Sequence, residues 1–397
     1  MLAQTHSPPG ERRADRPAVE VADIVRAHGQ AFARVHALTA EQSAVLSAIT
    51  RCRTSALGGH LDVCDRCGFS EISYNSCRNR HCPKCQSLAQ ARWLERRMQR
   101  VLPTHAFHVV FTLPCELRPV ALTNRTLLFD LLFACAAETL LELGRDPRWL
   151  GAELGITSVL HTWTRELLFH PHVHCIVTGG GLSLDGQRWI GTRKNFLLPV
   201  RVLGALFRGK FLARLRQAYA RGELRLPATL TAHSFNRLCN QLHRKRWVVY
   251  SKPPFGSPEH VFRYLGHYTH RVGLSNHRLL SFDARGITFR TRGTSTATLS
   301  PIEFLRRFLL HVLPKRFVKI RHHGLMAASN VSSRLEKARD LLEQTPTIPA
   351  APLHDFRDIL LVLTGLDLRR CPRCLLGTVV RHPLILVPDP PCRPDTS

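Results

Sequence analysis

The chain has 397 residues, room for two or three domains, and 44% are apolar, so it can bury a core and is not a disordered chain. Lysine and arginine number 56 against 29 acidic residues, a formal charge of +27 that selects polyanions, nucleic acid ahead of a membrane surface. No apolar run reaches the roughly 18 residues that span a bilayer, and no apolar signal segment opens the chain, so a cytoplasmic protein with a nucleic-acid partner and no membrane partner is expected.

Residues 1–17, rich in Pro and Arg, read as a disordered lead. Residues 18–50 carry apolar positions at helical spacing, with Thr39-Ala-Glu-Gln42 as a second helix start. A cysteine cluster follows: His60, then Cys64-Asp-Arg-Cys67, then Cys77, His81 and Cys82-Pro-Lys-Cys85. The chain has 13 cysteines, an odd number, several in Cys-x-x-Cys pairs, which argues for metal rather than disulfides. Two such turns separated by 14 residues suit one tetrahedral zinc held by Cys64, Cys67, Cys82 and Cys85. Cys77, His81 and His60 are left over for a second zinc or a shared site. Arg78, Arg80 and Lys84, with Arg92, Arg96 and Arg97 beyond, ring the cluster, as a module gripping the DNA backbone would require. Residues 18–100 thus read as helices plus a zinc-binding, DNA-binding domain.

A basic helix over 88–102 leads into residues 101–345. Phe107–Leu113 is a strand, 119–143 a helix apolar nearly all round and so expected beneath a sheet, and Thr157–Trp163 a second strand. The next stretch, His170-Pro-His-Val-His-Cys-Ile-Val-Thr-Gly-Gly-Gly181, reads as a strand closed by three glycines and paired antiparallel with its predecessor. Pro171, lacking an N–H, suggests that the strand begins there or runs along a sheet edge. Alternate residues share a face, so His172 and His174 project together to hold one divalent ion, Mg²⁺ or Mn²⁺, while Val173, Cys175 and Val177 face a packed layer. Candidates for a third ligand are His161, Glu166 and His170.

Helices are expected at 201–221 and 233–246, a strand at Trp247–Tyr250, a hairpin around Ala284-Arg-Gly286, a helix over Pro301–Leu313 and a basic strand over Lys315–His323. Between them, Ser257-Pro-Glu259 is a helix start. In that helix Tyr264 and Tyr268 lie four apart on one face, with Arg263 and Arg271 flanking as nucleic-acid contacts. A His-x-His strand alone, or a tyrosine pair alone, is ordinary hydrogen bonding or core packing. Together they are the equipment of a phosphodiester-cleaving nucleophile. Residues 346–397 turn Pro-rich, and Cys371-Pro-Arg-Cys374 is there either a further zinc knuckle, with His354, His382 and Cys392 as candidate partners, or a metal-free turn. Short strands among long helices, without βαβ alternation, indicate an α+β fold.

His172-Val-His174, the Tyr264 and Tyr268 pair, and the segment from Pro254 to Val272 resemble the IS91 family of transposases, two-tyrosine members of the HUH endonuclease superfamily. The resemblance runs from about Val45 to Arg373. It implies an antiparallel sheet backed by helices with the metal site on its open face, an N-terminal zinc-binding domain, and rolling-circle movement of an insertion sequence. It further implies cutting of single-stranded DNA through a covalent 5′-phosphotyrosine. A plasmid replication initiator or relaxase would use the same chemistry, and a non-catalytic zinc-containing DNA-binding derivative would retain only the modules.

Overall fold

The computed structural model describes residues 17–98, 100–252, 273–342, 355, 357–358, 361 and 367–384. The tyrosine segment, including Arg263, Tyr264, Tyr268 and Arg271, lies outside the described residues, as does the 1–16 lead.

Two helices open the fold, α1 (Val21–Val35) and α2 (Ala40–Arg51). The Thr39 hydroxyl accepts the Gln42 N–H, and the Gln42 carboxamide accepts the Thr39 N–H, the reciprocal cap that the sequence announces. A hairpin of β1 (Gly59–Cys64) and β2 (Ser70–Tyr74) follows, then α3 (Ser87–Met98) and β3 (Ala106–Thr112). Next come α4 (Arg118–Thr123), α5 (Arg125–Arg145), β4 (Ala152–Trp163), β5 (Phe169–Ser183) and β6 (Trp189–Gly191). The chain continues through α6 (Val200–Ala220), α7 (Ala232–Arg244), β7 (Val249–Lys252), β8 (Leu279–Asp283), β9 (Gly286–Arg290) and β10 (Thr296–Leu299). It closes with α8 (Pro301–Leu310), β11 (Ile320–Gly324), α9 (Arg334–Asp340) and β12 (Val379–Pro383). None of these helices is long and apolar enough to cross a membrane.

The principal sheet has the order β11-β4-β5-β3-β7, with β6 pairing the far end of β5, and every pairing is antiparallel. Alternation sorts its two faces. Phe107, Val109 and Phe111 of β3 and Val173, Cys175 and Val177 of β5 enter the main core. There they meet Phe129 and Phe133 of α5 and Phe207 and Phe211 of α6. The opposite face carries the histidines, and α3 crosses part of it through Trp93, packed against Ala106, Ile176 and Ile320. The architecture is α+β, an antiparallel sheet backed by helices.

Strand β5 departs from its sequence reading in two respects. It begins at Phe169 and runs between β4 and β3, so Pro171 sits in an interior strand, near its start, and its carbonyl accepts the Leu113 N–H. Nor do the three glycines end the strand, which continues to Ser183. They are there for close approach: a Cβ on Gly180 would lie 2.6 Å from the Ile190 carbonyl oxygen and 2.7 Å from the Trp189 ring.

A second core joins distant parts of the chain. Ile24, Val25 and Phe32 of α1 and Val45 and Ile49 of α2 pack with Ile287 and Phe289 of β9 and Phe304 and Phe308 of α8. Two polar ties cross the same junction, the Val21 N–H to Asn276 Oδ1 at 3.2 Å and Gln42 Nε2 to the Leu309 carbonyl at 3.1 Å. A small sheet of order β12-β1-β2 draws the C-terminal strand onto the N-terminal hairpin.

Phe207 is the packing keystone behind the principal sheet. Its fully buried ring lies 4.9 Å from Phe111 and 5.4 Å edge-to-face from Trp247, measured between centroids. Phe207→Ala should destabilise the sheet by about 3–5 kcal/mol, the usual cost of emptying a buried aromatic site. Chemical denaturation followed by Trp247 fluorescence measures it.

Candidate active site and metal centres

The β4–β5 hairpin sets His161 directly opposite His172 and Val159 opposite His174. Paired residues on antiparallel strands point to one face, so the three imidazoles converge, with ring centroids 4.2 Å (His161–His174), 4.9 Å (His172–His174) and 5.5 Å (His161–His172) apart. One ring nitrogen from each lies within 4.8 Å of the other two. Of the three candidates for a third ligand, the fold therefore brings in His161. Glu166 is exposed in the connecting turn, and His170 contributes its carbonyl. The pairing of the two strands, readable from their short connection, already contained this result.

The rings are oriented from behind. His172 Nδ1–H donates to the His170 carbonyl at 2.7 Å, which turns Nε2 towards the shared centre. His174 Nδ1 shares a 2.7 Å hydrogen bond with His108 Nε2 of the neighbouring β3, and the two rings stack at 5.0 Å. His108 is a partner that the sequence reading missed; its place in the alternation of β3 was the available signal. Burial holds all of these imidazoles neutral: His172 and His108 are pushed down to about 4, and His161 and His174 fall well below the ordinary value, with neighbouring imidazoles adding to the effect at His161, His172 and His174 and the Lys252 charge at His108. A neutral imidazole with one oriented lone pair is the form that ligates a metal, so these residues fit a divalent ion.

The cysteines form two quartets, and neither is the one expected. Cys52, Cys77, Cys82 and Cys85 lie together, as do Cys64, Cys67, Cys371 and Cys374, the sulfurs of each set all within 4.8 Å of one another. The expected quartet of Cys64, Cys67, Cys82 and Cys85 fails because β1 carries Cys64 out to pair with β12. Cys82 instead packs into the second core, 3.6 Å from Cys52. Cys77 does join a set, 3.6 Å from Cys85. His81 does not, since both ring nitrogens are engaged elsewhere, Nε2 accepting the Leu313 N–H at 3.1 Å and Nδ1 facing Asn79 Oδ1 at 3.3 Å. His60 belongs to neither set.

Known proteins can be set beside this geometry. A family model described as putative transposase matches residues 155–334, and one described as transposase zinc-binding domain matches residues 24–113. A putative transposase, y4qJ, of Sinorhizobium fredii (strain NBRC 101917 / NGR234) is 46% identical over 379 residues, covering 92% of this chain and 95% of that protein. The chain belongs to the IS91 family of transposases. The transposase for insertion sequence element IS801 of Pseudomonas savastanoi pv. phaseolicola is 28% identical over 345 residues, covering 81% of this chain and 79% of its own. A metal-free conjugative relaxase TrwC in complex with oriT DNA overlaps 42% of this transposase and 72% of its own chain at 14% identity, with a TM-score of only 0.24.

Three further features of the transposase surround the histidines. Lys252 of β7 lies opposite His108, and Gly273 lies against Leu167, His311 and Trp163. These two described residues, on either side of the tyrosine-bearing segment in sequence, therefore flank the imidazole cluster. Lys319 Nζ stands 5.0 Å from the centre of the Trp163 ring, which stacks on His161 at 4.7 Å; burial and the charge of Arg80 push the Lys319 ammonium down to about 7. Beside it, α3 and residues 313–322 enclose a groove of about 440 Å³ whose polar lining includes Arg80, Arg96, Arg97, Lys319 and His322, with no carboxylate among its described lining residues.

The cations expected to touch DNA divide accordingly. Arg78 is exposed. Arg80 donates to the Phe317 and Pro314 carbonyls and so holds the zinc module onto the rest of the chain, while Lys84 pairs with Glu20 at 2.6 Å within the N-terminal module. Arg97, which donates to His322 Nε2 at 2.7 Å, is pushed down to about 10 by burial and by Arg100 and Arg96 beside it.

His108→Ala removes the group that orients His174. It should weaken Mn²⁺ binding by about 10–100-fold, the usual cost of losing such a partner. Isothermal titration of the metal-stripped protein measures this, and unchanged affinity would rule out the orienting role.

Proposed function

We propose that the chain is a DNA strand transferase that nicks and rejoins single-stranded DNA at the ends of an insertion sequence by a rolling-circle mechanism. The observation that supports this most directly is the convergence of His161, His172 and His174, all neutral, between Lys252 and Gly273, which stand in sequence on either side of the segment that bears Tyr264 and Tyr268. The three imidazoles would hold Mg²⁺ or Mn²⁺, which when bound supplies Lewis-acid polarisation of a phosphoryl oxygen. Imidazole donors favour Mn²⁺ over Mg²⁺.

The chain's own residues carry the rest. A tyrosine phenol, with a pKa of about 10 in water, must lose its proton to become the attacking oxygen. A nearby cation favours that loss, and Lys319 stands over the Trp163 ring that stacks on His161. Attack forms a Tyr–O–P bond and breaks the P–O3′ bond, leaving a 5′-phosphotyrosine and a free 3′-hydroxyl. The phosphodiester energy is conserved in the adduct, so a 3′-hydroxyl from another strand can reverse the step without a cofactor. Two tyrosines four residues apart on a helix have Cβ atoms about 5–6 Å apart, close enough to serve one centre in turn. One would hold the first cut strand while the other acts at the second end.

DNA binding rests on the +27 charge and on the carboxylate-free groove beside the histidines. Basic walls around a cleft focus the field on a phosphate backbone. A combined Arg96→Ala, Arg97→Ala and Lys319→Ala variant should weaken single-stranded oligonucleotide binding and flatten its salt dependence. Every phosphate that the variant ceases to neutralise lowers the log–log slope by about 0.7. Fluorescence anisotropy across a salt series reads both quantities, and an unchanged slope would place the strand elsewhere.

The catalytic reading is tested with a labelled oligonucleotide from the flank of the gene. Tyr264→Phe and Tyr268→Phe should each still form a covalent adduct, located by mass spectrometry on the remaining tyrosine, while complete transposition nearly fails in both. The His172→Ala/His174→Ala variant should abolish nicking and leave DNA affinity nearly unchanged. Adducts at a single position with normal transposition by the other variant would leave a one-tyrosine enzyme, and nicking by the double-histidine variant in chelator would remove the metal assignment.

A further inference from the structure

The family match to a zinc-binding domain ends at residue 113, yet two of the cysteines gathered beside Cys64 and Cys67 lie far beyond it, at Cys371 and Cys374. Cys64 Sγ is 3.8 Å from Cys374 Sγ, and Cys67 Sγ is 3.7 Å from Cys371 Sγ. Four sulfurs at the corners of a tetrahedron, each about 2.3 Å from a central zinc, stand about 3.8 Å apart. A disulfide would need about 2.05 Å. The spacing is that of ligands around one ion.

The two turns are built alike. In Cys64-Asp-Arg-Cys67, the Arg66 and Cys67 N–H groups point at Cys64 Sγ at 3.4 and 3.5 Å. In Cys371-Pro-Arg-Cys374, the Arg373 N–H points at Cys371 Sγ at 3.4 Å and the Gly377 N–H at Cys374 Sγ at 3.3 Å. Each turn thus folds around its own sulfurs and presents them to one shared centre. Gly377 closes the site, because a Cβ there would run into Cys64 Sγ.

The surrounding backbone is committed to the same contact. Strands β1 and β12 pair from His60↔Pro383 to Cys64↔Val379, Arg381 forks onto the two Asp62 carboxylate oxygens at 2.7 and 2.9 Å, and Asp65 Oδ1 accepts the Thr378 N–H at 2.8 Å. An exposed three-stranded sheet with Ile72 and Val380 in solvent has little apolar burial to hold it. A structural ion supplies what such a small module lacks.

We propose that Cys64, Cys67, Cys371 and Cys374 bind a second structural zinc ion, which clasps the C-terminal segment to the N-terminal hairpin so that both ends of the chain form one zinc module. Binding releases the four thiol protons to solvent and leaves the sulfurs unoxidised. The other quartet, Cys52, Cys77, Cys82 and Cys85, would hold the first ion and lies wholly in the N-terminal segment.

Full-length protein purified without chelator should carry two zinc equivalents by inductively coupled plasma mass spectrometry. Cys371→Ser/Cys374→Ser should carry one, and Cys64→Ser/Cys67→Ser also one, because each pair is half of the same site. Zinc content that falls with the second pair but not with the first would overturn the clasp. Should either variant fail to fold, cobalt substitution of the wild-type chain answers instead: two equivalents of tetrahedral, four-thiolate Co²⁺ are expected, and one would overturn it. Neither measurement uses DNA, so its outcome is separate from that of the strand-transfer reading.

Discussion

The register of β4 against β5 is the constraint on which the site depends. With His161 opposite His172, and Val159 opposite His174, three imidazoles share one face of the sheet, while Leu160, Val173 and Cys175 share the other and enter the core. A slip of one residue would exchange those faces. It would drive imidazoles into the layer of Phe129, Phe133 and Phe207 and expose the aliphatic side chains. The same apolar burial that stabilises the sheet therefore puts the three imidazoles on one face, and hydrogen bonds to the His170 carbonyl and His108 then set the rings.

Burial also sets the chemistry. An imidazole cluster in water would be partly protonated near neutral pH, and protonated rings repel one another and any metal. Desolvation at His161, His172 and His174 removes that competition, and the hydrogen bonds to the His170 carbonyl and to His108 decide which nitrogen of each partnered ring faces the centre. A cation such as Lys319 is costly in the same environment, which explains why its ammonium is pushed down to about 7. The described lining of the groove beside it is rich in cations, a surface that focuses field on a polyanion.

The zinc module is stabilised differently. Its small sheet buries little, so the pairing between β1 and β12 carries its order, together with the zinc proposed at Cys64, Cys67, Cys371 and Cys374. The N-terminal helices are held by a proper core, but one completed by Ile287, Phe289 and Phe304 from the far end of the chain. Arg80 and His81, which look like cluster residues, are the pins of that junction, bonded to residues 313–317. The module is therefore joined to the catalytic part at more than one place, and α3 lies over the open face of the sheet rather than beside it.

Local chemistry was legible in the sequence wherever it depends on neighbours along the chain. The Thr39 cap, the alternation that puts His172 and His174 on one face, the apolar α5, and the existence of cysteine knuckles all follow from residues a few positions apart. Two features that seemed local were not. Gly179–Gly181 resemble a stop but permit close packing within a continuing strand, because the clashes that demand glycine come from residues distant along the chain: His105 at Gly179, Ile190 and Trp189 at Gly180, Glu153 at Gly181. Cysteine spacing identified knuckles but not partners: a tetrahedral ion needs four ligands near one point and is indifferent to the length of chain between them, so one quartet joins two knuckles and the other joins one knuckle to Cys52 and Cys77. Cys64 and Cys67 could have met Cys82 and Cys85 after 14 residues, and they meet Cys371 and Cys374 instead. Only the tertiary structure decides that, because pairing of β1 with β12 and burial of Cys82 against Cys52 are set by long-range packing, which residue spacing does not encode.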